Sequence, residues 1–121
     1  MVKKILIAED EKPMARALEA KLKGEGYNAK AVFNGKEAIQ EIEVGKYDLA
    51  LLDLIMPEMD GFGVLGWAKK NQIKTPIIVA TNLSQEQDEK KAKELGAIDY
   101  FVKSDTPLSV IVKKVKSVLG S

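Results

Sequence analysis

The sequence predicts a doubly wound α/β domain, a parallel sheet covered by helices on both faces. Three observations carry that expectation. Short apolar runs recur five times, each followed by a segment of helical period. The connections between them are short and hold Gly, Pro or Asn. The third run, Leu49 to Leu54, is apolar on both faces, as a central parallel strand must be. Strands alternating with helices in this way close into a parallel sheet through right-handed crossovers.

The elements follow in order. Ile5 to Ala8 reads as a buried strand. Pro13 suits a first helical turn, where its missing N–H costs nothing. Met14, Ala17, Leu18 and Leu22 continue that helix at apolar spacing, and Gly24 and Gly26 end it. Ala29 to Phe33 alternates with polar residues, as an edge strand does. Asn34-Gly35 reads as a turn, and Ala38, Ile39 and Ile42 carry a second helix to Gly45. After the third strand, a helix is expected over about Gly61 to Lys70, weakened by Gly63 and Gly66 at roughly 1 kcal/mol each relative to Ala. Pro76 to Ala80 is the fourth strand. Ser84 reads as an N-cap, with Gln87 at the capping-box position, for a charged and solvated helix ending at Gly96. Ile98 to Val102 is the fifth strand, and Pro107 to Leu119 a last helix with Leu108, Ile111, Val112, Val115 and Leu119 on one face.

Composition narrows the chemistry. A chain of 121 residues, 45% hydrophobic and 31% charged, supports one globular domain with a single core. A net charge of +1 sets up no field for nucleic acid or an anionic membrane. With 0 His and 0 Cys there is no imidazole base, thiolate ligand, disulfide or Ser-His-Asp triad. Only carboxylates, lysines and hydroxyls remain to do chemistry. No signal-peptide pattern or transmembrane run is present, so the expected location is cytoplasmic.

In open α/β sheets ligands bind beyond the carboxyl ends of the strands. Glu9 and Asp10 follow the first strand, Asp53 ends the third, Thr81 follows the fourth and Lys103 the fifth. Each has an ordinary explanation by itself. Glu9-Asp10-Glu11 can decorate a helix N-terminus, Asp53 can cap a loop, Thr81 can be a turn hydroxyl, and Lys103 can snorkel at the surface. Three acids, a hydroxyl and an ammonium at one sheet edge are poorly explained as decoration. Carboxylates held close raise one another's pKa unless a cation lies among them, and an oxygen-only donor set suits Mg²⁺. An aspartate can attack phosphorus to give an acyl phosphate, whose charge a metal and a lysine would offset.

These residues resemble the receiver domain of two-component response regulators over essentially the whole chain. The matching segments are A-E-D-E after strand one, D-L-I-M-P-E-M-D-G after strand three, A-T-N after strand four and Y-F-V-K after strand five. The resemblance implies a single flavodoxin-like (βα)5 domain across residues 1–121, with sheet order 2-1-3-4-5, the order the family itself exemplifies. It implies Asp53 as phosphate acceptor, Asp10 as direct Mg²⁺ ligand, Glu9 acting through water, and the Ile55 carbonyl as a third protein ligand. It implies Thr81 as switch hydroxyl, Lys103 as the phosphate-pairing lysine, Tyr100 as the switch aromatic, and Pro57 and Gly61 as fixed loop residues. Tyr100 is equally well read as an edge-strand aromatic packed on the last helix.

The implied function is a phospho-accepting switch, not an enzyme acting on a separate substrate. It would take a phosphoryl group from a sensor histidine kinase or phosphotransfer protein and catalyse its own phosphorylation and dephosphorylation. No effector domain is expected in this chain, so the readout is binding to a downstream protein, without direct nucleic-acid or membrane contact. A phosphorylation-dependent dimer fits the resemblance, although no sequence feature specifies it. An aspartyl-phosphate phosphatase or phosphotransferase is the competing enzyme class; those enzymes usually carry a second acid where this chain has Ile55. A receiver-like module that is never phosphorylated is the other alternative. Ser104 stands where the family usually has Pro, often after a cis bond, so this loop is expected to be trans and more mobile. Asn82 stands where a small residue is common, altering access to the phosphoryl group. Apolar Ile55 and Leu83 would hinder a hydrolytic water and lengthen the phosphoryl lifetime.

Overall fold

A computed structural model describes residues 2–120; Met1 and Ser121, the ends of the expected domain span, lie outside the described residues. The elements run β1 (Lys4–Ala8), α1 (Lys12–Gly24), β2 (Asn28–Val32), α2 (Gly35–Gly45), β3 (Leu49–Leu52) and α3 (Gly61–Lys70). They continue with β4 (Ile77–Thr81), α4 (Glu86–Glu94), β5 (Asp99–Val102), a 3₁₀ turn (Lys103–Asp105) and α5 (Leu108–Leu119). The sheet order is β2-β1-β3-β4-β5, with every neighbouring pair parallel.

Strand alternation divides the core. Leu6, Ala8, Ala50, Leu52, Ile77 and Val79 face α2 and α3 through Ala38, Ile42, Val64 and Leu65. Ile5, Ile7, Leu49, Leu51, Ile78 and Ala80 face α1 and α5 through Leu18, Leu22, Ile111 and Val115. Each fully buried Leu or Ile contributes about 1.5–3 kcal/mol from removal of its apolar surface from water. β1, β3 and β4 are buried along nearly their whole length, while β2 alternates and lies at the edge, as its pattern predicts.

Several boundaries differ from the sequence expectation. β3 stops at Leu52, so Asp53 stands just past the strand; β4 runs one residue further, to Thr81. Asn34 is a helix cap where a turn was expected. Its side chain accepts from the Glu37 N–H at 2.8 Å, while Glu37 Oε1 accepts from the Phe33 N–H at 3.1 Å. Gly35 is required there because a Cβ would collide with the Met59 carbonyl. Ser84 does not cap α4. The Gln85 carbonyl takes the first helical bonds and no side chain caps the end. The Tyr100 hydroxyl donates to the Leu83 carbonyl at 2.7 Å, tying the β4–α4 loop to β5. Glu86, Asp88 and Glu89 in the first turn meet the helix dipole instead.

Candidate functional site

Register aligns the ends of the central strands. Ala8 pairs with Leu52, and Leu52 with Val79, so the next residues of β1 and β3 emerge side by side. The Asp53 N–H donates to the Ala8 carbonyl at 2.9 Å, and the Glu9 N–H to the Val32 carbonyl at 3.0 Å. The backbone thus remains laddered up to the site, and both carboxylates inherit the rigidity of the sheet.

Glu9, Asp53, Thr81 and Lys103 are the buried polar or charged residues, tyrosine aside, among the described residues. All four were singled out by sequence position. The Lys103 ammonium donates to Glu9 Oε1 at 2.6 Å and to Asp53 Oδ2 at 3.0 Å, with 4% of its side chain exposed. Lys103 is therefore no snorkelling surface residue. Burial opposes its charge, but the Glu9 hydrogen bond and the Asp53 charge outweigh that and raise its pKa above the ordinary lysine value. Burial and the nearby Asp53 charge raise the Glu9 pKa, against the Lys103 hydrogen bond that pulls it down. Glu9 Oε2 also accepts from the Glu11 N–H at 3.1 Å, so its carboxylate is held at both oxygens.

Carboxylate oxygens of Glu9, Asp10 and Asp53 lie within 4.8 Å of one another. Asp10 is exposed and, with Glu11, Asp53, Ile55, Asn82 and Lys103, lines a cavity of about 150 Å³ over the acceptor. The Ile55 N–H donates to Asp53 Oδ1 at 3.2 Å, bending the chain back over the aspartate. A Cβ on Gly61 would meet the Asp53 carbonyl, with Leu54 Cα at 2.7 Å, so only glycine lets the loop after β3 return. Four carboxylates (Glu9, Asp10, Glu11 and Asp53) face one ammonium. This excess of hard anionic oxygen suits a divalent cation.

Thr81 is fully buried, and its hydroxyl accepts from the Leu83 N–H at 3.4 Å, a long bond. Tyr100 does not pack on the last helix. It belongs to the core on the α3 and α4 side, near Val79, Ala92 and Ala97, whereas its neighbour Phe101 packs toward α5. Alternation along β5 sends the two aromatics to opposite faces. Burial, helped by Asp88, Glu89 and Asp53, pushes the Tyr100 hydroxyl pKa up to about 12.

Sequence reasoning missed two participants. Glu11 reaches Lys103 with Oε1 at 3.4 Å and fixes Glu9 through its N–H; its only signal was the unbroken acidic run after β1. Asn82 was noted for its size, but not for the bond its Oδ1 accepts from the Ser104 N–H at 3.2 Å. No peptide bond among the described residues is cis, in line with the trans Lys103–Ser104 linkage expected. No described helix is long and apolar enough to cross a membrane.

Comparison with known proteins agrees with this geometry. The family model for the response regulator receiver domain matches residues 5–116. The transcriptional regulatory protein DltR of Streptococcus agalactiae is 39% identical over 100 residues, covering 83% of this chain and 45% of the relative. The alkaline phosphatase synthesis transcriptional regulatory protein PhoP of Bacillus subtilis is 34% identical over 119 residues, covering 98% of this chain and 49% of the relative. The chain thus spans about half the length of these curated relatives. Because they are named as transcriptional regulators, the expectation of a readout without nucleic acid finds no support. Among solved structures, the signal receiver domain of a Luxo repressor protein from Vibrio parahaemolyticus superposes with TM-score 0.93 at 31% identity, covering 99% of this chain and 92% of that one. The receiver domain of a Francisella response regulator gives 0.91 at 28%, covering 96% and 95%. The chain belongs to the response regulator receiver domain family of two-component signalling.

Proposed function

We propose that Asp53 accepts a phosphoryl group from a sensor histidine kinase or phosphotransfer protein, and that the chain catalyses this transfer to itself. The observation that carries this reading is the buried contact of the Lys103 ammonium with Asp53 Oδ2 at 3.0 Å, beside Glu9. Family membership supports it, since receiver domains act with histidine kinases or phosphotransfer proteins. An Asp53 oxygen bonds to phosphorus as the donor's N–P bond breaks and its nitrogen keeps the electron pair. Lys103 offsets negative charge on the transferring group. The apolar strands below exclude water from the far side of the carboxylate.

Glu9, Asp10, Asp53 and the Ile55 carbonyl are the groups that would hold Mg²⁺. When bound there, the cation supplies neutralisation of the phosphoryl oxygens and orientation of the donor. Thr81 then exchanges its long bond to the Leu83 N–H for one to the phosphoryl group. Leu83 is also the residue Tyr100 holds, so the β4–α4 loop and Tyr100 form the two-state element. The readout is a changed protein-binding surface on α4, β5 and α5, with a phosphorylation-dependent dimer as one form of it.

Incubation with acetyl phosphate, with and without Mg²⁺, followed by intact mass measurement, tests this reading. A gain of one phosphoryl mass is expected only with the metal, absent in Asp53→Asn and retained in Asp48→Asn. Uptake by Asp53→Asn would overturn the assignment. Repeated turnover of a phosphate ester would instead make the protein a phosphatase.

A further inference from the structure

Asn82 and Ser104, two departures from the family's usual residues at the site, meet. The Ser104 N–H donates to Asn82 Oδ1 at 3.2 Å. A proline at 104 has no N–H to give, and a small residue at 82 does not carry an amide oxygen to receive it. The bond therefore needs both departures at once. It joins the residue after Thr81 to the residue after Lys103, across the mouth of the acceptor site.

The two ends are not equally fixed. On the β5 side, Lys103 is bonded to Glu9 and Asp53, residues Lys103–Asp105 form a 3₁₀ turn, and Thr106 Oγ1 donates to the Val102 carbonyl at 2.8 Å. On the β4 side, Tyr100 holds the Leu83 carbonyl at 2.7 Å, but residues 82–85 precede a helix that lacks a side-chain cap, and the one bond of Thr81 Oγ1 among the described residues is the long 3.4 Å one from the Leu83 N–H. Ser104 is the fixed post and Asn82 the part it holds. Asn82 also lines both the 150 Å³ cavity over Asp53 and an adjoining groove of about 500 Å³ bordered by Met14, Ala17 and Leu108.

We propose that the Asn82–Ser104 bond is a cross-loop latch, with Asn82 a positioning residue that keeps the β4–α4 loop, and Thr81 with it, in the arrangement described above. The latch opens when a phosphoryl group on Asp53 draws the Thr81 hydroxyl inward, because Thr81 and Asn82 share a peptide unit and move together. This inference rests on the phosphoacceptor reading and adds a brake to it. Loss of the latch lowers the cost of switching by about a twofold to tenfold factor, the range one net hydrogen bond supports.

The test combines residue-resolved amide exchange by NMR with titration by beryllofluoride and Mg²⁺, an acyl-phosphate mimic. In the free protein, the Ser104 amide is expected to exchange faster in Asn82→Ala than in the wild type. It should also exchange faster in the wild type once beryllofluoride is bound. Asn82→Ala should bind beryllofluoride about twofold to tenfold more tightly, an equilibrium gain that easier access alone cannot produce. Ser104→Ala retains the N–H and should match the wild type in both measurements. Equal Ser104 exchange in free wild type and Asn82→Ala, persistent protection in the loaded protein, or unchanged beryllofluoride affinity would each overturn the latch. A wild type that takes no beryllofluoride at Asp53 would instead overturn the phosphoacceptor reading and the braking role built on it.

Discussion

The Lys103 ammonium lies 3.0 Å from Asp53 Oδ2, and the same nitrogen lies 2.6 Å from Glu9 Oε1. One cation thus neutralises two carboxylates delivered by different strands, all three side chains being almost wholly buried. Breaking one partner of such a group costs more than the group contributes intact, because it strands unpaired charge.

Lys103→Ala is therefore expected to lose about 3–5 kcal/mol in chelator. The loss should be smaller at pH 5 than at pH 8. Burial and Asp53 already hold the Glu9 pKa above 4.5, so its contribution is present below that value and fades as pH rises through the higher folded value. Adding Mg²⁺ should restore more stability to the variant than to the wild type, since no ammonium competes for the oxygens. Urea unfolding at the two pH values, with and without Mg²⁺, measures both effects; a variant no less stable than the wild type would refute the pairing.

Glycines separate by what surrounds them. Gly61→Ala would push a methyl into the Asp53 carbonyl and Leu54, costing about 1–3 kcal/mol of stability and slowing phosphoryl uptake. Gly66 has nothing within 4 Å of a new Cβ, so Gly66→Ala should stabilise α3 by up to about 1 kcal/mol. Thermal unfolding of the two variants should move in opposite directions.

Ile55 is 51% exposed and borders the cavity over Asp53, while Leu83 is half-buried beside Thr81. Replacing both with polar residues should speed hydrolysis of the acyl phosphate by on the order of tenfold, about 1.4 kcal/mol in barrier. Phosphoryl loss followed by intact mass reads this directly. An unchanged rate would remove these side chains from control of the lifetime.

Alkaline titration reports on Tyr100. Its neutral form is favoured by burial and by Asp88, Glu89 and Asp53, with the pKa raised from 10.0 to about 12. Stability is accordingly complete below pH 10 and falls as pH rises through 12. In Tyr100→Phe that part of the alkaline loss should disappear, and the bond to the Leu83 carbonyl with it, at about 1 kcal/mol near neutrality. Tyrosine absorbance against pH, paired with urea midpoints, would show otherwise if Tyr100 titrated near 10.

Most element positions were legible because strands buried on both faces read as unbroken apolar runs, and helices as 3.6-residue stripes; the sheet order came only from the resemblance to receiver domains. The α4 boundary was not legible, because Ser84 carries a capping hydroxyl but the helix starts one residue later, with Gln85 as its uncapped first acceptor. Tyr100 was left open between a switch aromatic and a residue packed on the last helix, since a four-residue strand does not announce which face its aromatics take; the fold excludes the second.

Sequence by itself determined the chemistry available to this protein: carboxylates, a hydroxyl and an ammonium, with no imidazole or thiol, each placed just beyond an apolar run. Tertiary structure decided which of them meet. Parallel register sets Glu9 beside Asp53, and the β5 end brings Lys103 across to both. It also joined Asn82 to Ser104, two residues 22 positions apart whose bond depends on where two loops come together. Periodicity records burial locally, whereas a pairing between strand ends arises only when the sheet closes.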